Sequence, residues 1–168
     1  MKKIITLLAV VGMFSVQSCT TTTDTNYVDN DTIAEVFELK NINFAYNATD
    51  GYTIYQKFTP NIYASDVVLI YRLSGTIDSN TPVWQLIPRT LFLNQGELDY
   101  DFDFSKEDFT IYAGGNYDLS LTPQYLNNQT FRIVIVPGSF SASFDTSNYA
   151  AVISALNINE SQIQKINF

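Results

Sequence analysis

The 168-residue chain contains no histidine and a single cysteine, Cys19. Without imidazole there is no Ser/His or Cys/His nucleophile pair and no histidine metal ligand. The side chain that most often moves protons near neutral pH is missing as well. Cations are scarce: nine Lys plus Arg stand against 17 Asp plus Glu, a net charge of −8. Nucleic acids and anionic lipid surfaces need clustered Lys and Arg, and no basic strip is present, so nucleic acid is excluded as a partner. Neither G-x-G-x-x-G nor a P-loop occurs, which removes the usual nucleotide cradles. The sequence therefore calls for no cofactor. Enzymes built on paired carboxylates manage without histidine, so the choice narrows to a non-catalytic binding domain, the favoured reading, or a carboxylate-dependent hydrolase.

Long hydrophobic runs are lacking too. Lys2 and Lys3 precede the apolar run Ile4–Val11, which Gly12 ends; a spanning helix needs about 20 apolar residues, roughly twice this length. Small residues Ser15 and Ser18 then lead to Cys19, the layout of an export signal. Val16, Gln17, Ser18 and Cys19 resemble the lipobox of bacterial lipoproteins. The resemblance implies that the Cys19 thiol is alkylated with a diacylglycerol, that the chain is cut before it, and that the new amino group is acylated. Residues 1–18 are then a signal peptide, and two or three acyl chains hold a water-soluble body at the membrane. Thr20, not Asp, follows the cysteine, which by resemblance to sorting in enteric lipoproteins implies the outer membrane. Surface-exported lipoproteins of the Bacteroidota carry an acidic run at this place, whereas here Asp24 stands alone behind Thr20–Thr23. The expectation is an outer-membrane domain facing the periplasm, with surface exposure as the alternative.

Cutting before Cys19 leaves 150 of the 168 residues, seven basic against 17 acidic, for a net charge of −10. That length suits one domain. Residues 19–31 are rich in Thr, Asp and Asn and read as a flexible tether, with a reach of roughly 20 Å as a coil and up to about 40 Å stretched. Residues 32–168 read as a single all-β domain. Asp31, Thr32 and Ile33 match a three-residue O-glycosylation pattern of the Bacteroidota, which makes Thr32 a candidate.

From Ile33 onward β-branched and aromatic residues recur with period two, as in strands. Asn47–Gly51 reads as a hairpin turn before Tyr52, Ile54 and Phe58. Val67–Leu73 and Phe131–Val136 are apolar at nearly every position, Arg132 excepted, and predict central strands covered on both faces. Pro82 and Pro88 bracket a strand holding Trp84 and place it at an edge or a sheet switch. The spacing predicts an antiparallel β-sandwich of about eight or nine strands, Ig-like or similar. Tyr149, Val152, Ile153 and Leu156 then follow helical spacing, a short C-terminal helix capped by Ser147 or Asn148 and closing one end of the sandwich. The runs VVLIYRL (67–73), VWQLIP (83–88), RIVIVP (132–137) and SALN (154–157) resemble a group of small lipoproteins of the Bacteroidota. That likeness implies location and fold but no activity.

Glu97, Asp99, Asp101 and Asp103 alternate with Leu98, Tyr100, Phe102 and Phe104. Asp99, Asp101 and Asp103 are the candidate cation ligands. Carboxylates two apart on a strand are about 6.6 Å from each other, too far for one strand to surround calcium, so the favoured reading is a solvated face and no metal. Phe104 and Thr110 also stand where an EF-hand loop needs Gly and Glu. Trp84, Tyr63, Tyr112 and Tyr125 are candidates for a sugar-stacking platform, with core packing as the competing use. The functional expectation is a lipid-anchored envelope protein that binds or scaffolds another envelope protein or a glycan. Its alternatives are a hydrolase using a carboxylate pair that includes Asp101, or a carbohydrate-binding module.

Overall fold

A computed structural model describes residues 34–78, 80–141 and 145–167. The expected signal peptide and tether, with Cys19 and Thr32, lie outside the described residues. Ten strands form two five-stranded sheets. The first sheet is ordered β10(Gln164–Asn167)–β1(Glu35–Ile42)–β9(Gln129–Pro137)–β4(Asp66–Thr76)–β5(Pro82–Ile87). The second is ordered β2(Ala45–Asn47)–β3(Gly51–Lys57)–β8(Asp108–Gly115)–β7(Gly96–Phe104)–β6(Arg89–Leu93). Every ladder is antiparallel except β1 with β10, which is parallel with Phe37 opposite Gln164. The expected sandwich is present.

Period-two patterning decides what each strand buries. Leu39, Ile70, Phe131 and Ile133 of the first sheet belong to one core with Leu98, Tyr100, Phe109 and Ile111 of the second. Aromatic contacts knit it, Phe58 to Phe109 at 5.1 Å and Phe44 to Phe131 at 6.0 Å. Each fully buried aliphatic or aromatic side chain contributes about 1.5–3 kcal/mol.

The apolar runs of β4 and β9 are explained by a third layer. Helix α1 (Gly138–Ser141) follows β9, and helix α2 (Tyr149–Ala155) carries Tyr149, Val152 and Ile153 into a second apolar cluster with Leu69, Tyr71, Val134 and Val136. The helix thus covers the outer face of the first sheet instead of one end of the sandwich. Period-two strands with apolar residues at both parities require such a cover. Asn148 caps α2 by accepting from the Ala151 N–H at 3.1 Å. Asn157, at φ +53°, ends it in a Schellman arrangement, with N–H bonds from Asn157 to the Ser154 carbonyl and from Ile158 to the Ile153 carbonyl. Asn159 caps a 3₁₀ turn, Glu160–Gln162, that delivers the chain to β10.

The two flanks of the sandwich differ. β5 and β6 are edge strands of opposite sheets, separated only by Pro88, so the chain itself joins the sheets there. This is the sheet switch expected of the two prolines. On the other flank β10 ends the first sheet, while β2 pairs with β3 only over Gly51–Thr53. The Ile54–Lys57 stretch of β3 has a ladder partner, β8, on one side only.

Candidate functional site

The acidic residues of β7 lie on the outward face, and Leu98 and Tyr100 are buried on the other. The three aspartates are each occupied locally. Asp99 accepts from the Thr90 hydroxyl at 2.5 Å, and Asp103 from the Tyr112 phenol at 2.8 Å. Asp101 accepts from the Phe102 N–H at 2.8 Å. The bond to Asp103 is the chief reason the Tyr112 phenol is pushed above its ordinary pKa. Among the described residues, no three His, Cys, Asp or Glu side chains group closely enough to hold a metal ion. β7 is paired with β6 only as far as Tyr100, so Asp101 and Asp103 lie on a stretch whose outer side is open. Charges suit such an edge by opposing strand addition.

The sugar-stacking candidates are scattered. Trp84 is covered on the α2 side of the first sheet, its ring 5.6 Å from that of Tyr149. Tyr125 sits in the 3₁₀ turn Pro123–Tyr125 beside Arg72. Tyr63 is exposed in the β3–β4 loop, and Tyr112 is half-buried on β8 in the second sheet.

Two arginines carry more of the structure than their positions in apolar runs signal. On the α2 side, buried Arg132 donates through Nε to Glu38 at 2.9 Å and lies 3.3 Å from Glu160. Its Nη1 also donates to the Tyr149 hydroxyl, and its guanidinium stacks 4.3 Å from the Trp84 ring. On the opposite face, Arg72 points into the core, where it donates to Gln129 Oε1 at 2.9 Å and stacks 4.6 Å from the Tyr100 ring. No carboxylate is within ion-pair distance of Arg72 among the described residues. Gln129 in turn donates to the Gln124 and Asn127 carbonyls, so Arg72 fixes the loop between β8 and β9. Tyr100 donates to the Tyr125 carbonyl at 2.6 Å. Burial pushes its phenol up to about 12, although Arg72 pulls the other way.

The open flank holds a cleft of about 220 Å³. Phe37, Ile135 and Ile166 of the first sheet and Phe58 after β3 give it apolar walls; Glu35, Gln56, Lys57 and Gln164 supply its polar groups. Glu35 is opposite Ile135 and Gln164 is opposite Phe37, so both occupy the parity that faces the other sheet. Gln56, opposite buried Phe109, does the same from β3. These are positions where the alternation calls for core residues. Glu35, Gln56 and Gln164 make no side-chain hydrogen bond or ion pair among the described residues, whereas Lys57, on the outward parity of β3 opposite Asp108, helps hold that carboxyl below its ordinary pKa. A recess with apolar walls and a few uncommitted polar groups is the usual form of a ligand site. The sequence hinted at it only through polar residues at inward parity, and that parity is unreadable until register is known.

Comparison of the chain with protein families, with curated proteins and with solved structures finds no match.

Proposed function

We propose that this chain is a lipid-anchored protein of the bacterial cell envelope whose β-sandwich is a non-catalytic binding domain, with the open-flank cleft as its binding site. The lipobox-like sequence ending in Cys19 supports the anchor. The outer membrane, with the domain on its periplasmic side, is the location that Thr20 and the lone Asp24 favour. The observation that carries the binding role is the set Glu35, Gln56 and Gln164, which face the inter-sheet space without protein partners. Gln56 is half-buried and Glu35 and Gln164 are exposed, so beside these apolar walls their hydrogen bonds are completed by water or by a ligand. Glu35 stands 16 residues after Cys19, so the cleft lies within about 55 Å of the lipid along a stretched chain.

Two experiments test this. Cys19→Ser should release the protein from membranes without detergent; retention would sink the anchor. A photo-crosslinking residue at Gln56 in the native envelope should capture a discrete adduct that one at Ser154, on α2, does not. Equal labelling from both sites would refute the cleft as the binding site.

The alternative hydrolase keeps one observation. Asp99 and Asp101 line a shared depression of about 300 Å³ with Arg89 and Thr90. Glycan cleavage that disappears in Asp101→Asn would favour it over the binding role.

A further inference from the structure

Resting on the reading of the open flank as a binding site, we infer that its ligand is a short extended segment of another protein, added as a strand to the free edge of β3, with apolar side chains at alternate positions and a net positive charge. The backbone is the first reason. The Phe58 N–H donates to the Glu107 carbonyl at 2.8 Å, and Lys57 is opposite Asp108. Bonding direction alternates along an antiparallel ladder, so Ile54 and Gln56 turn their N–H and C=O groups toward β8, while Tyr55 and Lys57 turn theirs away from it. Thr53 shares the parity of Tyr55 and is opposite Ala45, where the pairing of β2 with β3 stops. Among the described residues, neither the N–H nor the C=O of Tyr55 or Lys57 has a hydrogen-bond partner. Donors and acceptors spaced as in a ladder are therefore open beside the cleft, and another extended backbone is the chemistry that answers them together.

The surroundings are the second. A residue placed opposite Gln56 shares its parity and faces the inter-sheet space, where Phe37, Phe58, Ile135 and Ile166 form apolar walls. Its neighbours on either side face outward with Tyr55 and Lys57, so the segment needs apolar residues only at every second position. A cleft of about 220 Å³ is below the roughly 300–1,000 Å³ of sites for drug-sized molecules and suits single side chains projecting from a backbone. Charge selects the kind of segment. Lys57 is on the outward parity and acts on Asp108, which leaves Glu35 as the charged group that faces the cleft. With the chain's net charge of −8, this favours a basic partner. The same net charge opposes a second copy of this chain. An edge confined to Tyr55–Lys57 also falls far short of the roughly 1,200 Å² that a stable dimer buries.

The experiment adds a blocked heptapeptide, valine and threonine alternating between terminal lysines, to the purified full chain and follows amide chemical shifts and hydrogen exchange. The expected result is saturable binding with shifts at Phe37, Gln56 and Gln164, and exchange of the Tyr55 and Lys57 amides slowed by about tenfold or more. The same peptide N-methylated at its threonines, the residues placed opposite Tyr55 and Lys57, should bind about tenfold more weakly, as should one with glutamates for its lysines. Lys57→Pro removes an open-side donor where an edge strand tolerates proline, and should weaken binding by about tenfold at a similar Tm. Should that variant not fold, the N-methylated peptide tests the same bonds on the unaltered chain. If the N-methylated peptide binds as tightly as its parent, strand addition is overturned, and equal binding of the glutamate peptide overturns the charge preference. Protection of the Tyr55 and Lys57 amides that rises with protein concentration before any peptide is added would assign the edge to a second copy and overturn the proposal. If no peptide shifts the cleft residues at millimolar concentration, the ligand class is overturned; the discrete adduct from Gln56 then keeps the cleft as a site, and its absence overturns both.

Discussion

Replacing Glu38 by Gln keeps the shape of the buried side chain and one acceptor oxygen, but removes the charge that faces Arg132 at 2.9 Å. Both side chains are 6% exposed. At a charge separation of about 4 Å and an effective dielectric constant near 20, the lost attraction is about 4 kcal/mol. The neutral hydrogen bond that Gln can still accept returns about 1 kcal/mol. Glu160 remains 3.3 Å from Arg132 but is half exposed, so solvent screens it and it replaces little of what is lost. Glu38→Gln should therefore destabilise the domain by about 3 kcal/mol, lowering Tm by roughly 10 °C. Removing both charges as Glu38→Leu with Arg132→Met should come within about 1 kcal/mol of the parent, because no buried charge is left without a partner. Urea unfolding followed by tryptophan fluorescence is the assay. Trp84, the single tryptophan, lies against the Arg132 guanidinium and reports on this cluster directly. A single variant costing less than 1 kcal/mol, or a double variant less stable than the single one, would refute the reasoning.

Three further outcomes follow from the same structure. Burial raises the phenol pKa of Tyr71, and it pushes those of Tyr100 and Tyr149 up to about 12. A raised folded-state pKa means that stability holds below the unfolded value near 10 and is lost as pH climbs from 10 through 12; absorbance at 295 nm should show these three ionising only as the protein unfolds, and their titration with the exposed tyrosines would contradict it. A Cβ at Gly115 would run into the Glu97 carbonyl and come within 2.9 Å of Leu119, whereas Gly114 has open space; Gly115→Ala should cost about 1–3 kcal/mol and Gly114→Ala under about 0.5 in denaturant melts. Because Asp99, Asp101 and Asp103 are engaged one by one, a calcium chelator should leave Tm unchanged, and a drop of several degrees would show that a cation is held there after all.

The sandwich was legible because its signals are local. Alternation in Glu97–Phe104 marks a strand buried on one face, the unbroken apolar runs at 67–73 and 131–136 mark the central strands, and Pro88 marks the change of sheet. Two elements were hidden by their dependence on distant partners. β10 is four residues, Gln164–Asn167, with little apolar content, and it exists because β1 offers a parallel ladder. The helix was legible from its 3.6-residue period, but its place on the outer face depends on Leu69, Tyr71, Val134 and Val136 being aligned across two strands far apart in sequence. The charges at Arg72 and Arg132 looked like interruptions of apolar runs. Their partners lie 57 and 94 residues away, at Gln129 and Glu38, a pairing that only sheet register reveals.

The contrast between the flanks bears on function more than any single motif does. Where β5 passes into β6, covalent continuity closes the gap between the sheets, and inward positions such as Ile87 are apolar and buried. Where β10 and β3 border the cleft, the inward positions turn polar at Glu35, Gln56 and Gln164. An apolar residue at each of those three places would extend the core and stabilise the fold. Their retention as polar groups lowers the stability that the flank could otherwise reach. Such a sacrifice of stability is what binding sites show when the compensating contact is a ligand. Glu35→Leu with Gln164→Val should accordingly raise Tm by several degrees while abolishing the discrete crosslink from Gln56. A double variant that is less stable than the parent would mean the polar residues serve the fold itself, and the cleft would lose its claim to be a site.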